Sequence, residues 1–221
     1  FGFRLARIRT SKPFDKFSIK LEANVKKIVV PALATDRTID EERNLLKDIN
    51  FRIDNQLYLT SSGYIRIFER HKPEILIFDG KKYIHEYLKE LNDYLADFEV
   101  DSTHVHTTAD EVIDLKKGVC QDFAHVYIAM CRYNNIPCRY VSGYLDQGSS
   151  FNGSSVMHAW VEAYSPVYGW LGFDPANRQE VDNRYIKVAH GTDYGDCSPM
   201  KGVLRTSGQH RIKYEVKVTC Q

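Results

Sequence analysis

The 221-residue sequence has no apolar run near the roughly 18 residues of a membrane-spanning helix, so no membrane segment is expected. Neither charge sign dominates. Thirty lysines and arginines stand against 29 aspartates and glutamates, a net charge of +1, where a general nucleic-acid binder carries a strong basic excess. Cysteine is sparse and odd in number. Cys120, Cys131, Cys138, Cys197 and Cys220 include no C-x-x-C pair, which argues against a disulfide framework or a zinc site. Free thiols in a reducing, cytoplasmic setting are expected. No secretory h-region opens the chain, but it starts at Phe1 rather than Met, so a removed leader is left open. There is no internal repeat and no low-complexity tract. Arg4, Arg7, Arg9 and Lys12 read as a solvated face rather than a binding arm.

What is present is a pattern of helices followed by strands. In "FSIKLEANV", Phe17, Ile19, Leu21, Ala23 and Val25 alternate with polar residues, which predicts a half-buried strand. Thr38 and Glu41 form a capping box for a helix over 38–50. Leu57–Leu59 and Tyr64–Phe68 look strand-like around the turn "TSSG". A boundary near 78–82 separates a β-rich N-terminal region, 1–79, from a second domain, 80–221. Ile84, Tyr87, Leu88, Leu91, Leu95 and Phe98 recur at helical spacing over 82–98. Thr108 and Glu111 cap a short helix that Gly118 can end, and a further helix starts near Val119 and stops at "NNIP". Strands are expected at 139–145, 156–164, 169–174 and 210–220. Helices first and an antiparallel sheet second make the class α+β.

The stretch "GVCQDFAH" places Cys120 in the first turn of the helix near Val119. Unpaired N–H groups and the positive dipole end favour a thiolate there. A thiolate nucleophile also needs a base and a group that orients it. The strand "VMHAWVEAY" puts His158 on one face with Trp160, Glu162 and Tyr164, and "GWLGFD" puts Trp170, Gly172 and Asp174 on one face. If Tyr164 pairs with Trp170 across the hairpin, Trp160 lies opposite Asp174 and His158 is its diagonal neighbour. That separation, about 7–8 Å at the backbone, is within reach of longer side chains. A one-residue slip would put the two on opposite faces. Pro175 ends the strand and leaves the carboxylate at its tip.

Together "GVCQDFAHVYIAMCRYNNIPCRYVSGY", "MHAWVEAYSPVYGWLGFDPAN" and "HGTDYGDCSPMKGV" resemble the transglutaminase-like superfamily, in particular its bacterial branch of transglutaminase-like enzymes and cysteine-protease-like proteins. The resemblance runs from about residue 80 to the end and is weaker over 1–79. Two positions depart from the family pattern: Thr192 stands where arginine is common, and Cys138 where alanine is common. The resemblance implies a papain-like core, with the nucleophile helix packed on an antiparallel sheet, and places the catalytic triad on Cys120, His158 and Asp174. It implies acyl transfer on a peptide or carboxamide: water as acceptor gives a cysteine protease or amidase, and an amine gives transamidation. The Cys120 N–H is one expected oxyanion donor. The expected partner is a peptide or protein substrate, with no nucleic acid, membrane or cofactor; oligomeric state is not readable.

Other features carry less. Trp160 could wall the site, although a buried hairpin tryptophan is the plainer reading. Asp122 and His125, three residues apart on one helix, read as structural support and could pair. His104, His106 and Asp110 do not complete a metal set, so no metal is expected. Asn152-Gly153-Ser154 matches a glycosylation sequon, relevant only to a secreted eukaryotic protein. The competing class is a non-catalytic interaction module on the same fold.

Overall fold

Thr38 starts the first helix as its capping box requires. Its hydroxyl accepts the Glu41 N–H at 3.3 Å, and the Glu41 carboxylate accepts the Thr38 N–H at 2.7 Å. The computed structural model describes residues 7–203 apart from 13, 27–34, 68, 105 and 147–156, together with 216. Helix α1 spans Ile39–Lys47 and breaks at Asp48, whose side chain caps a second helix, α2, Ile49–Asp54. Helices α3 (Ile84–Leu95), α4 (Ala109–Leu115) and α5 (Cys120–Tyr133) follow. A short parallel pair, β1 (Glu99–Val100) and β2 (Lys117–Gly118), brackets α4. Helix α4 ends at Lys116, in the left-handed region at φ 52°, so Gly118 is not its terminator.

The second half of the chain forms a five-stranded antiparallel sheet from β3 (Cys138–Leu145), β4 (Met157–Ser165), β5 (Gly169–Asp174), β6 (Gln179–Glu180) and β7 (Tyr185–Gly191), in the order β6-β5-β4-β3-β7. The hairpin β4–β5 turns at Gly169, whose φ of 76° suits a residue without a side chain. The sequence did not predict β6 or β7. The strand expected at 210–220 and the sequon at 152–154 lie outside the described residues.

Helix α5 packs on β3 and β4 on one side and on α3 and α4 on the other. It is therefore buried all round: every residue from Asp122 to Arg132 is inaccessible or nearly so. Phe123, Val126, Tyr127, Ile128 and Met130 are at most 1% exposed, and each such side chain contributes roughly 1.5–3 kcal/mol of apolar burial. Polar ties fix the helix along its length. The Tyr127 hydroxyl donates to Leu88 O at 2.8 Å, and Arg132 donates to Cys138 O, Thr60 O and Thr192 O. Leu46, Ile65 and Ile75 join the same core from the N-terminal side. The fully buried Glu42 accepts the Ile84 N–H at 2.8 Å and the Ser165 hydroxyl at 3.3 Å, joining α1 to α3 and β4.

Among the described residues, the N-terminal strands read from the sequence do not form. Residues 17–25 make no ladder among the described residues, and Phe17, Ile19, Leu21 and Val25 are 51–87% exposed. Alternation states which face a strand would bury, but it does not supply the partner strand that stabilises it. Residues 56–58 form a 3-10 turn instead of a strand. Local bonds from Tyr58 N–H to Asn55 O at 2.9 Å and from Leu59 N–H to Gln56 O at 3.1 Å outweigh the β propensity of leucine and tyrosine there. A turn closed by Ile65 N–H and Ser62 O replaces the run beginning at Tyr64.

The face of the sheet away from α5 carries a smaller apolar cluster of Val141, Trp160 and Tyr185, flanked by Leu145 and Val181. Gly143, opposite His158 in the β3–β4 register, makes room for it. A Cβ at 143 would lie 2.1 Å from Ile186 O and 2.6 Å from the Trp160 ring. Because the first of these is backbone, Gly143→Ala should destabilise the protein by roughly 1–3 kcal/mol. A thermal midpoint unchanged from wild type would contradict this close approach.

Candidate active site

Helix α5 begins at the end of the sheet where β4 starts and β5 ends. Val119 is its N-cap, and the Asp122 carboxylate accepts the Val119 N–H at 2.8 Å and the Thr103 hydroxyl. These bonds fix the turn that presents Cys120, which is partly exposed, whereas Cys131, Cys138 and Cys197 are buried. Burial raises the Asp122 carboxyl against the opposing effect of those two bonds.

The hairpin pairs Tyr164 with Trp170 and Val161 with Phe173, the register that the sequence suggested. It places His158 and Asp174 on one face. The His158 ring donates from Nε2 to Asp174 Oδ2 at 2.6 Å, with the Asn177 side-chain amide 3.3 Å from the same nitrogen, and the Cys120 thiol is a further hydrogen-bond partner of the ring, for which Nδ1 remains. Burial opposes a charge on the ring. The Asp174 and Cys120 hydrogen bonds and the charges of both groups outweigh it and push His158 up to about 10. Asp174 is fully buried, which by itself would raise its carboxyl; the His158 bond and charge, with Asn177 and Tyr185, hold it below its usual range.

Asp174 accepts five hydrogen bonds. Oδ1 accepts the N–H groups of Ala176 and Asn177, an Asx turn over Pro175. Oδ2 accepts His158, the Asn177 side-chain amide at 2.7 Å and the Tyr185 hydroxyl at 2.7 Å. Asn177 and Tyr185 were not foreseen. Asn177, three residues after an Asp-Pro step, carried a readable signal in the Asx-turn pattern. Tyr185 had none, because it arrives from the unread strand β7.

Trp160 is 1% exposed, so it does not form an open wall. Its ring centre lies 6.3 Å from the His158 ring and 5.2 Å, edge-on, from Tyr185, and it supports both from within the sheet face. Asp122 and His125 do not pair with each other: Asp122 Oδ1 and His125 Nδ1 are both buried without a partner. Asp122 is committed to the helix cap. His125 stacks between Tyr64, at 5.0 Å, and Tyr140, at 5.3 Å, and its Nε2 accepts the Tyr194 N–H that begins the short helix α6, Tyr194–Cys197. Burial, reinforced by Arg132, lowers His125 to about 3, so it is neutral. Among the described residues no histidine, cysteine and carboxylate group has metal-site geometry. His106 instead meets the Tyr64 hydroxyl at 3.0 Å.

The chain is similar to several known proteins. Two uncharacterized mycobacterial proteins are similar. ML0607 of Mycobacterium leprae is 31% identical over 205 residues, covering 90% of this chain and 68% of that protein. Rv2569c of Mycobacterium tuberculosis is 39% identical over 120 residues, so the matched part is 50% of this chain but only 38% of that protein's length. A shorter stretch of 74 residues is 36% identical to a protein-glutamine gamma-glutamyltransferase of Pseudomonas aeruginosa, 30% of this chain and 11% of that one. Among solved structures, one described as "a Putative Cysteine Protease from Cytophaga hutchinsonii" superposes with a TM-score of 0.57 at 30% identity, over 66% of this chain and 49% of that chain. The family model of the transglutaminase-like superfamily matches residues 71–175, which contain the helix with Cys120 and the hairpin with His158 and Asp174. With its helix-on-antiparallel-sheet, papain-like architecture, the chain belongs to the transglutaminase-like superfamily.

Proposed function

We propose that the chain is a thiol-dependent acyl-transfer enzyme acting on peptide or carboxamide substrates, with Cys120 as nucleophile, His158 as base and acid, and Asp174 as the group that orients His158. The observation that carries this reading is the position of His158, hydrogen-bonded at once to the Cys120 thiol and to a buried carboxylate. The His158 Nδ1 takes the thiol proton, and the Cys120 sulfur attacks the substrate carbonyl carbon. The Cys120 N–H, in the first turn of α5 and without an intrahelical acceptor, is placed to stabilise the oxyanion. As the C–N bond breaks, the imidazolium returns its proton to the leaving amine, and the acyl group remains on sulfur as a thioester. Water, deprotonated by His158, then adds to the thioester, giving the acid and the free thiol. Hydrolysis is favoured by the likeness to the Cytophaga structure and its description. An amine in place of water gives transamidation, a reading favoured by the likeness to the Pseudomonas transferase over 74 residues.

Reactivity of the thiol tests the assignment without a known substrate. Iodoacetamide at about pH 6 should alkylate Cys120 well ahead of the other thiols, since activated cysteines are partly exposed and buried ones are inert. Cys131 is the internal control: it is fully buried, and burial with a hydrogen bond to Cys138 pushes its thiol well up. Peptide mapping by mass spectrometry reads the order. Labelling of Cys120 no faster than Cys131 would sink the enzyme assignment and favour an interaction module on this fold.

A further inference from the structure

The Asp174 oxygen that accepts from His158 also ends a chain of groups that runs to the sheet edge. Arg184 donates from Nη2 to Gln179 Oε1 at 2.9 Å, the Gln179 amide donates to the Tyr185 hydroxyl, and Tyr185 donates to Asp174 Oδ2 at 2.7 Å. Asp182 holds the far end through Arg184 Nε at 2.9 Å and Nη2 at 2.8 Å. The direction of every bond follows from the first. A guanidinium has donors only, so Gln179 must offer it the carbonyl oxygen. That turns the amide nitrogen of Gln179 toward Tyr185, where it occupies a lone pair of the phenol oxygen. The phenol proton is then committed to Asp174.

We infer that Gln179 and Tyr185 are positioning residues, which hold the Asp174 carboxylate toward His158 through a hydrogen-bond relay of fixed direction. The inference rests on the proposed role of Asp174 and names two residues outside the triad that set its strength. The fold builds the relay from both edges of the sheet. Gln179 faces Asp174 directly in the β5–β6 register. Residues 181–184 then cross from the β6 edge to the β7 edge and deliver Tyr185, 2% exposed, over Trp160. The groups facing Asp174 are His158 from β4, Asn177 from the turn, Gln179 from β6 and Tyr185 from β7. Cys120 lies beyond His158, and Arg184 with Asp182 lies beyond Gln179.

Loss of the Tyr185 donor leaves Asp174 Oδ2 with two donors instead of three. The carboxylate then holds a proton at higher pH, and the imidazolium loses its counter-charge earlier as pH falls. The experiment is the pH dependence of Cys120 alkylation by iodoacetamide in wild type, Tyr185→Phe, Gln179→Glu and the double variant. In Gln179→Glu both side-chain oxygens are acceptors, so Tyr185 turns its proton from Asp174 to residue 179. Each single change should raise the acid limb by about 0.5–1 pH unit and slow alkylation on that limb about three- to tenfold. The double variant should shift no further than the larger single, because both act on one proton. Additive shifts, or no shift in Tyr185→Phe, would overturn the relay. Should Tyr185→Phe not fold, Gln179→Glu in about 0.5 M salt decides. A redirected hydroxyl proton keeps its effect, whereas a bare charge at this edge is screened, and a shift abolished by salt would overturn the relay. If wild-type Cys120 shows no preferential labelling, the triad assignment fails on its own. The relay is then read from the NMR signal of the His158 Nε2 proton: its displacement in Gln179→Glu supports it, and an unmoved signal overturns it.

Discussion

Replacement of His158 by alanine should lower acyl-enzyme formation on a peptide substrate by about 10⁴, the upper end of what a general acid–base contributes. In the proposed mechanism His158 moves a proton in both halves of the reaction. It takes the thiol proton before attack and gives it to an amine that otherwise leaves as a poor anion. No neighbour can substitute. His125 is neutral, stacked between two tyrosines and occupied by the Tyr194 N–H. Its removal also takes the counter-charge from the fully buried Asp174, so the thermal midpoint should fall, and the comparison is made at a temperature where both proteins are folded. Mass-spectrometric trapping of the thioester on a peptide library measures the effect. A loss of less than about tenfold, with the fold intact, would mean that another base deprotonates Cys120.

Asp174→Asn should cost on the order of 10- to 10³-fold in the same assay, less than the roughly 10⁴ of the corresponding change in a serine triad, because a thiol is more acidic and more nucleophilic than a hydroxyl. The asparagine keeps the shape but removes the charge that favours the imidazolium. Its amide nitrogen, if turned toward Tyr185 and Asn177, would also meet donors. The sign of the pH effect follows from His158. With the carboxylate present the ring is raised from 6.5 to about 10, so its charged form contributes to stability fully below about 6.5 and ceases to as pH rises through about 10. Asp174, held below its ordinary 3.8, contributes above that value and ceases to as pH falls through its lowered one. Without the carboxylate, His158 loses its proton at lower pH. The alkaline limb of the rate profile should therefore move down from about 10, and the alkaline edge of the stability curve with it. Full activity with an unmoved alkaline limb would show that a different carboxylate orients the ring.

The features legible in the sequence were those that neighbouring residues determine. The capping boxes at Thr38 and Thr108 need four consecutive residues, and both form. The β4–β5 register needed only the hairpin and its alternation, and it brings His158 to Asp174 without information from elsewhere in the chain. The failures have the opposite character. Phe17–Val25 has the alternation of a strand, but pairing depends on a distant partner that local pattern does not reveal. Strand β7 was missed because it lies at the sheet edge with only its ends buried, so its seven residues show no alternation. Tyr185 was lost with it. Asp122 and His125, three residues apart on one helix, were expected as structural support that could pair, yet each is claimed by a residue far away in sequence, Thr103 and Tyr194.

The crossing of residues 181–184 from one sheet edge to the other sets an order on the making of the site. Strands β3, β4 and β5 can zip together as neighbours in sequence, but β7 joins next to β3 and closes the longest loop in the sheet. During synthesis from the N-terminus, Cys120 and His158 leave the ribosome well before Tyr185 does. The nascent chain therefore carries its thiol and its base while the carboxylate between them and the relay is still incompletely held. In the proposed mechanism, full reactivity of the thiol arrives only with β7, the last strand among the described residues, so the topology acts as a timer that keeps the thiol weak until its own chain is folded.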